Sequence, residues 1–419
     1  MTDALPPRYP ALRHKDFVLF WGGGIVSRLG TQMRDVALAW QIYELTRSPL
    51  ALGLPGLFRV TPLLLLALGG GVAADALDRR RVMLVTQSVL ALTSAILGFV
   101  TLTGQATPAL LYTLIALSAA TTAFDNPARQ ALVVNLLPEE DLPNGLALQV
   151  LGHQVSTVAG PAIGGLLLGA TSAGVVYVVD AVSFVAVIAA LFVVRPKRRA
   201  EGAKPVPLRL SALRPAFELL EQKPVLLWLA LVDFLATFFA GSMQLLPIFA
   251  DQAFRVGPWG YGLLQSAPAV GAVVASVLIS SRPPMRRQGL AVLVSVGVYG
   301  AAIAAFGLSR SFPLALGLLA LSGAADTVST VVRQVARQTL TPDELRGRMN
   351  AVNMIFFMGG PQLGEVEAGI VAQMWTTRGS VVSGGVACIV VALVFGAFVP
   401  VLRRLGEETR RQAERGSPD

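Results

Sequence analysis

Residues 66–85, LALGGGVAADALDRRRVMLV, decide how this chain is read. An apolar run ends at Gly71, passes Asp75, Asp78 and the arginines Arg79, Arg80 and Arg81, and turns apolar again at Val82. Backbone polar groups find no water inside hydrocarbon, so long apolar segments satisfy themselves as helix. Two such segments joined by a short charged elbow form a membrane hairpin, and a basic elbow belongs on the cytoplasmic side.

The whole chain repeats this theme. Of 419 residues, 54% are hydrophobic and 14% charged, against about 25% charged in a soluble protein. About twelve windows reach the roughly 20 apolar residues that a span needs. A β-barrel is excluded because its segments would be about 10 residues long and alternating. The expected fold is therefore an all-α membrane protein of twelve transmembrane helices in two pseudo-symmetric six-helix bundles.

The expected order begins with a cytoplasmic tail over residues 1–16, which lacks the apolar core of a signal peptide. An N-terminal bundle follows over 17–195, with spans near 17–43, 50–74, 82–102, 108–124, 142–168 and 175–194. The fourth is expected to stop at Asp125-Asn126-Pro127, because proline cannot donate a helix-interior hydrogen bond. Residues 196–223 read as a basic cytoplasmic linker. The C-terminal bundle covers 224–402, with spans near 225–249, 259–280, 289–308, 314–332, 348–375 and 381–402, and 403–419 is a charged tail. Arg47, Arg255, Arg310 and Arg378 fall in outer connections, whereas most other Arg and Lys residues crowd the alternate side. Both termini are thus expected in the cytoplasm, and the protein in the cytoplasmic (inner) membrane. The net charge of +9 then reports topology rather than nucleic-acid binding.

The halves resemble each other. ARQALVVNLLPEEDLPNGLA from Ala128 parallels VRQVARQTLTPDELRGRMNA from Val332, aligning Arg129 with Arg333. Gly160-Pro161-Ala-Ile-Gly164 likewise matches Gly360-Pro361-Gln-Leu-Gly364. Two like-oriented repeats suit a carrier that alternates access around a midplane site. Glycine permits close helix contact and proline bends a helix, so Gly160, Pro161, Gly164, Gly360, Pro361 and Gly364 are paired hinge candidates.

Ionisable groups inside apolar spans mark pathways or paired networks. The candidates are Arg28, Arg34, Asp35, Arg59, Asp233, Asp326, Glu365 and Glu367. Neighbours such as Arg34 and Asp35 point about 100° apart on a helix, so each is expected to pair elsewhere, Asp35 with Arg59 for example. Asp180, in YVVDAVSF, reads as structural. Gln149, His153 and Gln154 give one helix face a polarity fit for a cavity, and Trp228 and Phe238 suit an apolar wall. Trp21, Trp40, Trp228, Trp259 and Trp375 fall near span ends, as interfacial anchors do. The single cysteine, Cys388, and two histidines make no metal or nucleophile–base constellation, and no phosphate loop GxxxxGK[ST] is present. No enzyme activity and no cofactor are expected, only protons as coupling ion.

The chain resembles the major facilitator superfamily, through SRLGTQMRDVALAWQIYELTRSPLALGL, GVAADALDRRR, FDNPARQALVVNLLP, VVDAVSF and MGGPQLGEVEAG. Within it the drug:proton antiporter branch that includes the enterobactin exporter and macrolide efflux proteins is most similar. The resemblance implies a cytoplasmic gate of Gly71, Asp75, Asp78, Arg79, Arg80, Arg129 and Arg333, with Asp75 meeting the start of helix eleven. It implies a monomeric, multi-pass antiporter that exports small amphipathic compounds, drugs or a siderophore, among membrane lipids. Two features depart from the branch: ALLYTLIALSAATTAF lacks the usual buried arginine of helix four, and Ser156 stands where the helix-five signature has glycine. A lipid-handling or interaction protein without ion coupling and a nutrient importer of the same fold are the other readings.

Overall fold

In the computed structural model the described residues are 9–76, 78–194, 214–282, 285, 287–342, 345–403 and 405–406. Side chains of a few helical residues within these ranges, Gly71 and Asp75 among them, lie outside the description. The described regular structure is helical. The first half carries α1 (Lys15–Thr46), α2 (Pro49–Ala76), α3 (Arg79–Leu102), α4 (Pro108–Leu136), α5 (Leu142–Ala170) and α6 (Ala173–Val193). The second carries α7 (Arg214–Gln222), α8 (Pro224–Phe239), α9 (Gly257–Ser280), α10 (Gln288–Leu308), α11 (Phe312–Leu340), α12 (Arg346–Met374) and α13 (Thr377–Phe398).

The turns follow from local chemistry. Between α1 and α2 the chain takes a left-handed residue at Arg47 (φ 51°), and Ser48 Oγ then accepts from Ala51 N at 3.3 Å. Pro49 begins α2, where its missing N–H costs nothing. Thr107 caps α4 and Thr376 caps α13 in the same way. Asp78, the last acidic residue of the opening motif, caps α3 by accepting from Arg81 N at 3.1 Å.

Among the described residues, nine helical segments are long and apolar enough to cross a membrane. The other three long rods, α1, α5 and α12, are more polar, and they carry Arg28, Arg34 and Asp35, then Gln149, His153 and Gln154, then Glu365 and Glu367. Their failure as purely apolar spans and their load of ionisable or amide groups are one fact. Large side chains such as Leu65 (75% exposed), Leu393 (67%) and Phe398 (79%) point outward, while Asp125, Asp180, Asp233, Arg34 and Arg333 are buried. That inversion is what a hydrocarbon solvent selects.

Two compact units result, one of Met1–Gln41 with Thr61–Leu208, the other of Ile42–Val60 with Arg209–Asp419. The C-terminal end of α1 and the N-terminal end of α2 thus belong with the second unit. In the first, α3 packs along α4 and α6. In the second, α10 packs along α11 and α13, which repeats that arrangement, and α8 lies along α12.

Two expectations about elements are corrected. The fourth helix does not stop at Asp125-Asn126-Pro127 but runs through Pro127 to Leu136; a proline in a packed membrane helix removes one bond without ending the helix. The seventh span is not one helix: after α8 come a 3₁₀ turn (Gly241–Leu245), a single turn (Leu246–Ile248) and a π turn (Phe249–Ala253). The break falls where Gly241 lies so near Gly364 that a Cβ would sit 2.2 Å from the Gly364 carbonyl carbon. The end of the segment read as a linker forms α7, whose Leu219 and Leu220 bury in the second unit's core.

Candidate functional site

The first unit holds two polar clusters. In one, the Asp125 carboxylate on α4 accepts from Thr86 Oγ1 and Gln87 Nε2 of α3, both at 2.7 Å. Its other oxygen accepts from Arg129 Nε at 3.2 Å and from a second Arg129 nitrogen at 3.1 Å. Asp125 and Arg129 stand one helical turn apart, so they meet on one face. Because α4 continues past Pro127, this helix does carry a largely buried arginine, contrary to the expectation drawn from ALLYTLIALSAATTAF. Arg28 on α1 donates to Gln149 Oε1 of α5 at 3.1 Å; His153 is exposed and Gln154 half-buried one turn further along α5.

The other cluster joins α1, α3 and α6. Arg34 lies 3.2 Å from Asp35 and 3.7 Å from Asp180, and Asp180 also accepts from Ser94 Oγ at 2.6 Å. One expectation fails here. Arg34 and Asp35 do pair, because the long guanidinium stem bends along the helix surface and overcomes the angular separation of neighbours. Asp180, read as structural, is the fully buried partner of Arg34. Close by, Tyr177 donates to Gln41 Oε1 at 2.7 Å and Gln41 donates to Thr101 at 3.1 Å.

The second unit repeats the pattern with different sources. Arg333 on α11 lies 2.6 Å from Asp233 of α8 and 4.0 Å from Asp326 of its own helix. It also donates to Ser329 Oγ at 2.8 Å and Thr330 Oγ1 at 2.9 Å. Each unit therefore sets two aspartates on one buried arginine. In each, one carboxylate is buried (Asp180, Asp233) and the other is partly exposed, with side-chain exposures of 38% for Asp35 and 47% for Asp326.

Arg59 finds Glu365 at 3.7 Å instead of Asp35, and Gln244 Nε2 donates to Glu365 Oε1 at 3.1 Å. Glu367 is half-buried on α12. At the far end of the same unit, Asp251 accepts from the Tyr43 hydroxyl at 2.5 Å and from Arg47 at 2.8 Å.

Of the gate candidates Gly71 and Asp75 only the helical backbone near the end of α2 is described. Arg79 donates to Asn135 Oδ1 at 3.0 Å. Arg80 donates to the carbonyls of Leu191 and Phe192, closing the end of α6, where carbonyls lack helical partners. The hinge candidates sit at close helix crossings. A Cβ on Gly164 would lie 2.8 Å from the Met33 Cα, and one on Gly364 2.2 Å from the Phe238 carbonyl oxygen. Thus α5 lies against α1 as α12 lies against α8, and both helices continue through their prolines. Trp228 meets Phe395 edge-on with centroids 5.7 Å apart, while Phe238 stacks on Phe234 at 5.9 Å.

Sequence reasoning missed Asp125 and its acceptor role, although the Asp125–Arg129 spacing on a helix was the available signal. It also missed Ser94, Thr86 and Gln87, which are polar residues in a bland span with no local mark of their partners.

Repeated helical halves, an outward apolar surface and charge clusters buried inside each half define a multi-pass membrane transporter. The sequence profile described as transmembrane secretion effector matches residues 7–414, so the chain belongs to that family, within the major facilitator superfamily. It is similar to the protein named enterobactin exporter EntS of Citrobacter koseri, 26% identical over 401 residues with 93% of each chain covered. The protein of that name from Shigella boydii serotype 18 matches to the same extent. The fold is shared with a bacterial homologue of the iron transporter ferroportin (TM-score 0.72, 19% identity, 94% of this chain and 99% of that one). It is shared also with a bacterial homologue of the human lysosomal transporter Spinster (TM-score 0.70, 14% identity, 99% and 100% covered).

Proposed function

We propose that this protein is a secondary active exporter of small amphipathic organic compounds, drugs or a siderophore, working by alternating access and driven by proton antiport. It resides in the cytoplasmic membrane with both termini in the cytoplasm. The direction is supported by the relatives named as enterobactin exporters.

The proton claim rests on one observation: two aspartates share one buried arginine in each unit. A guanidinium neutralises one carboxylate, and the second then carries charge in a medium that penalises it. A proton on the second removes that penalty, so each cluster has two electrically distinct states. Asp35 and Asp326, partly exposed, exchange the proton; Asp180 and Asp233, buried, hold the arginine. Arg59 and Glu365 couple α2 to α12, and the Gly160 and Gly360 crossings let the helices shift against their neighbours.

The test uses proteoliposomes with a trapped pH-sensitive dye. Adding amphipathic aryl compounds is expected to move protons across the membrane in wild-type vesicles. Substrate movement that ignores the pH gradient removes the proton claim, and energy-independent lipid movement points to a lipid-handling protein instead.

A further inference from the structure

The second unit contains a partly open cavity of about 210 Å³ bounded by α7, α8, α11 and α12. Asp233, Arg333, Arg337 and Asn353 line its polar side. Leu229, Met349, Val352 and Phe356 line its apolar side. Resting on the exporter reading but not on its proton coupling, we propose that this cavity is a binding site for a small aryl or alkyl carboxylate.

Three observations carry the assignment. First, the charged groups on the wall are two guanidiniums and one carboxylate. Asp326, the other carboxylate near Arg333, stands 4.0 Å from it and outside the lining. Second, Arg333 is occupied by Asp233, Ser329 and Thr330, whereas the buried Nε of Arg337 has no hydrogen-bond partner among the described residues. A carboxylate matches the fork of a guanidinium with two parallel hydrogen bonds, and Asn353 offers an amide beside it. Third, the size fits. A cavity of roughly 150 Å³ takes a benzene ring, and the remaining space admits a carboxyl group. The ring would lie among Leu229, Val352 and Phe356. The two guanidiniums against one carboxylate on the wall favour an anionic acceptor over a neutral hydrocarbon.

The probes are fluorobenzoate and its neutral isostere fluorobenzamide, titrated into the purified full-length protein in nanodiscs and followed by ¹⁹F NMR. No gradient exists in this assay, so its outcome is separate from that of the proton experiment. Fluorobenzoate is expected to bind saturably and the amide at least about tenfold more weakly, as loss of a charged hydrogen bond implies. Arg337→Gln should weaken fluorobenzoate by at least about tenfold, Arg337→Lys should fall between, and Leu229→Trp should fill the cavity and abolish binding. Equal binding of acid and amide, no saturable binding of the acid, or an Arg337→Gln protein that binds like wild type would overturn the assignment. The acid–amide comparison is made on the wild-type protein and so does not depend on any variant folding.

Discussion

Arg333 donates to Asp233 across 2.6 Å, and that contact joins α11 to α8 in the interior of the second unit. Both side chains are less than one-tenth exposed, so solvent screens the pair little. Removing one partner strands the other, at about 3–5 kcal/mol for a buried pair. Asp233→Asn and Arg333→Gln should each lower the melting temperature of the detergent-solubilised protein markedly. The double variant should lose much less than the two losses added. Strict additivity would mean that the pair is not coupled.

A second prediction concerns Asp125. Asparagine there keeps an acceptor for Thr86 and Gln87 but gives up the charge facing Arg129. Asp125→Asn should cost about 1–3 kcal/mol, and Asp125→Leu more, because four donor atoms on three residues then lose their acceptor. A double-mutant cycle with Arg129→Gln, read by thermal melting, measures the share owed to the ion pair. No coupling in that cycle would contradict the described contact.

The glycines separate close crossings from free surface. Gly364→Val must displace the α8 backbone near Phe238, because a Cβ already falls 2.2 Å from that carbonyl oxygen. It should destabilise severely, with little folded protein recovered. Gly22→Ala meets nothing within 4 Å and replaces a flexible residue in a helix, so it should be neutral or gain up to about 1 kcal/mol. Size-exclusion recovery and melting temperature, compared for the two, check both signs.

Glu365→Gln makes a milder case. The pair with Arg59 spans 3.7 Å and Arg59 is a quarter exposed, while the glutamine keeps an acceptor for Gln244. The expected stability loss is about 1 kcal/mol or less. A large drop in melting temperature would show that Glu365 carries more of the fold than this geometry allows.

Twelve rods and their repeat were legible because apolar length and the Arg129/Arg333 and Gly160/Gly360 matches are local in sequence. The aspartates within the spans were legible for the same reason: Asp180, Asp233 and Asp326 each interrupt an apolar run. Their partners were not. Arg59 facing Glu365, or Arg34 reaching both Asp35 and Asp180, depends on helix rotation and on the bend of a long side chain, which no residue spacing reports. Pro127 was misread because a breaker rule drawn from water-exposed helices was applied where neighbouring helices hold the backbone. The extra turns after α8 follow from the approach of Gly241 to Gly364, residues far apart in the chain.

The most direct test of the central claim compares downhill and uphill transport of one amphipathic compound in the same proteoliposomes, for wild type, Asp35→Asn and Asp326→Asn. Shared arginines predict that the variants still equilibrate the compound down its own gradient but lose accumulation driven by pH. Accumulation driven by pH that is undiminished in both variants would contradict the account.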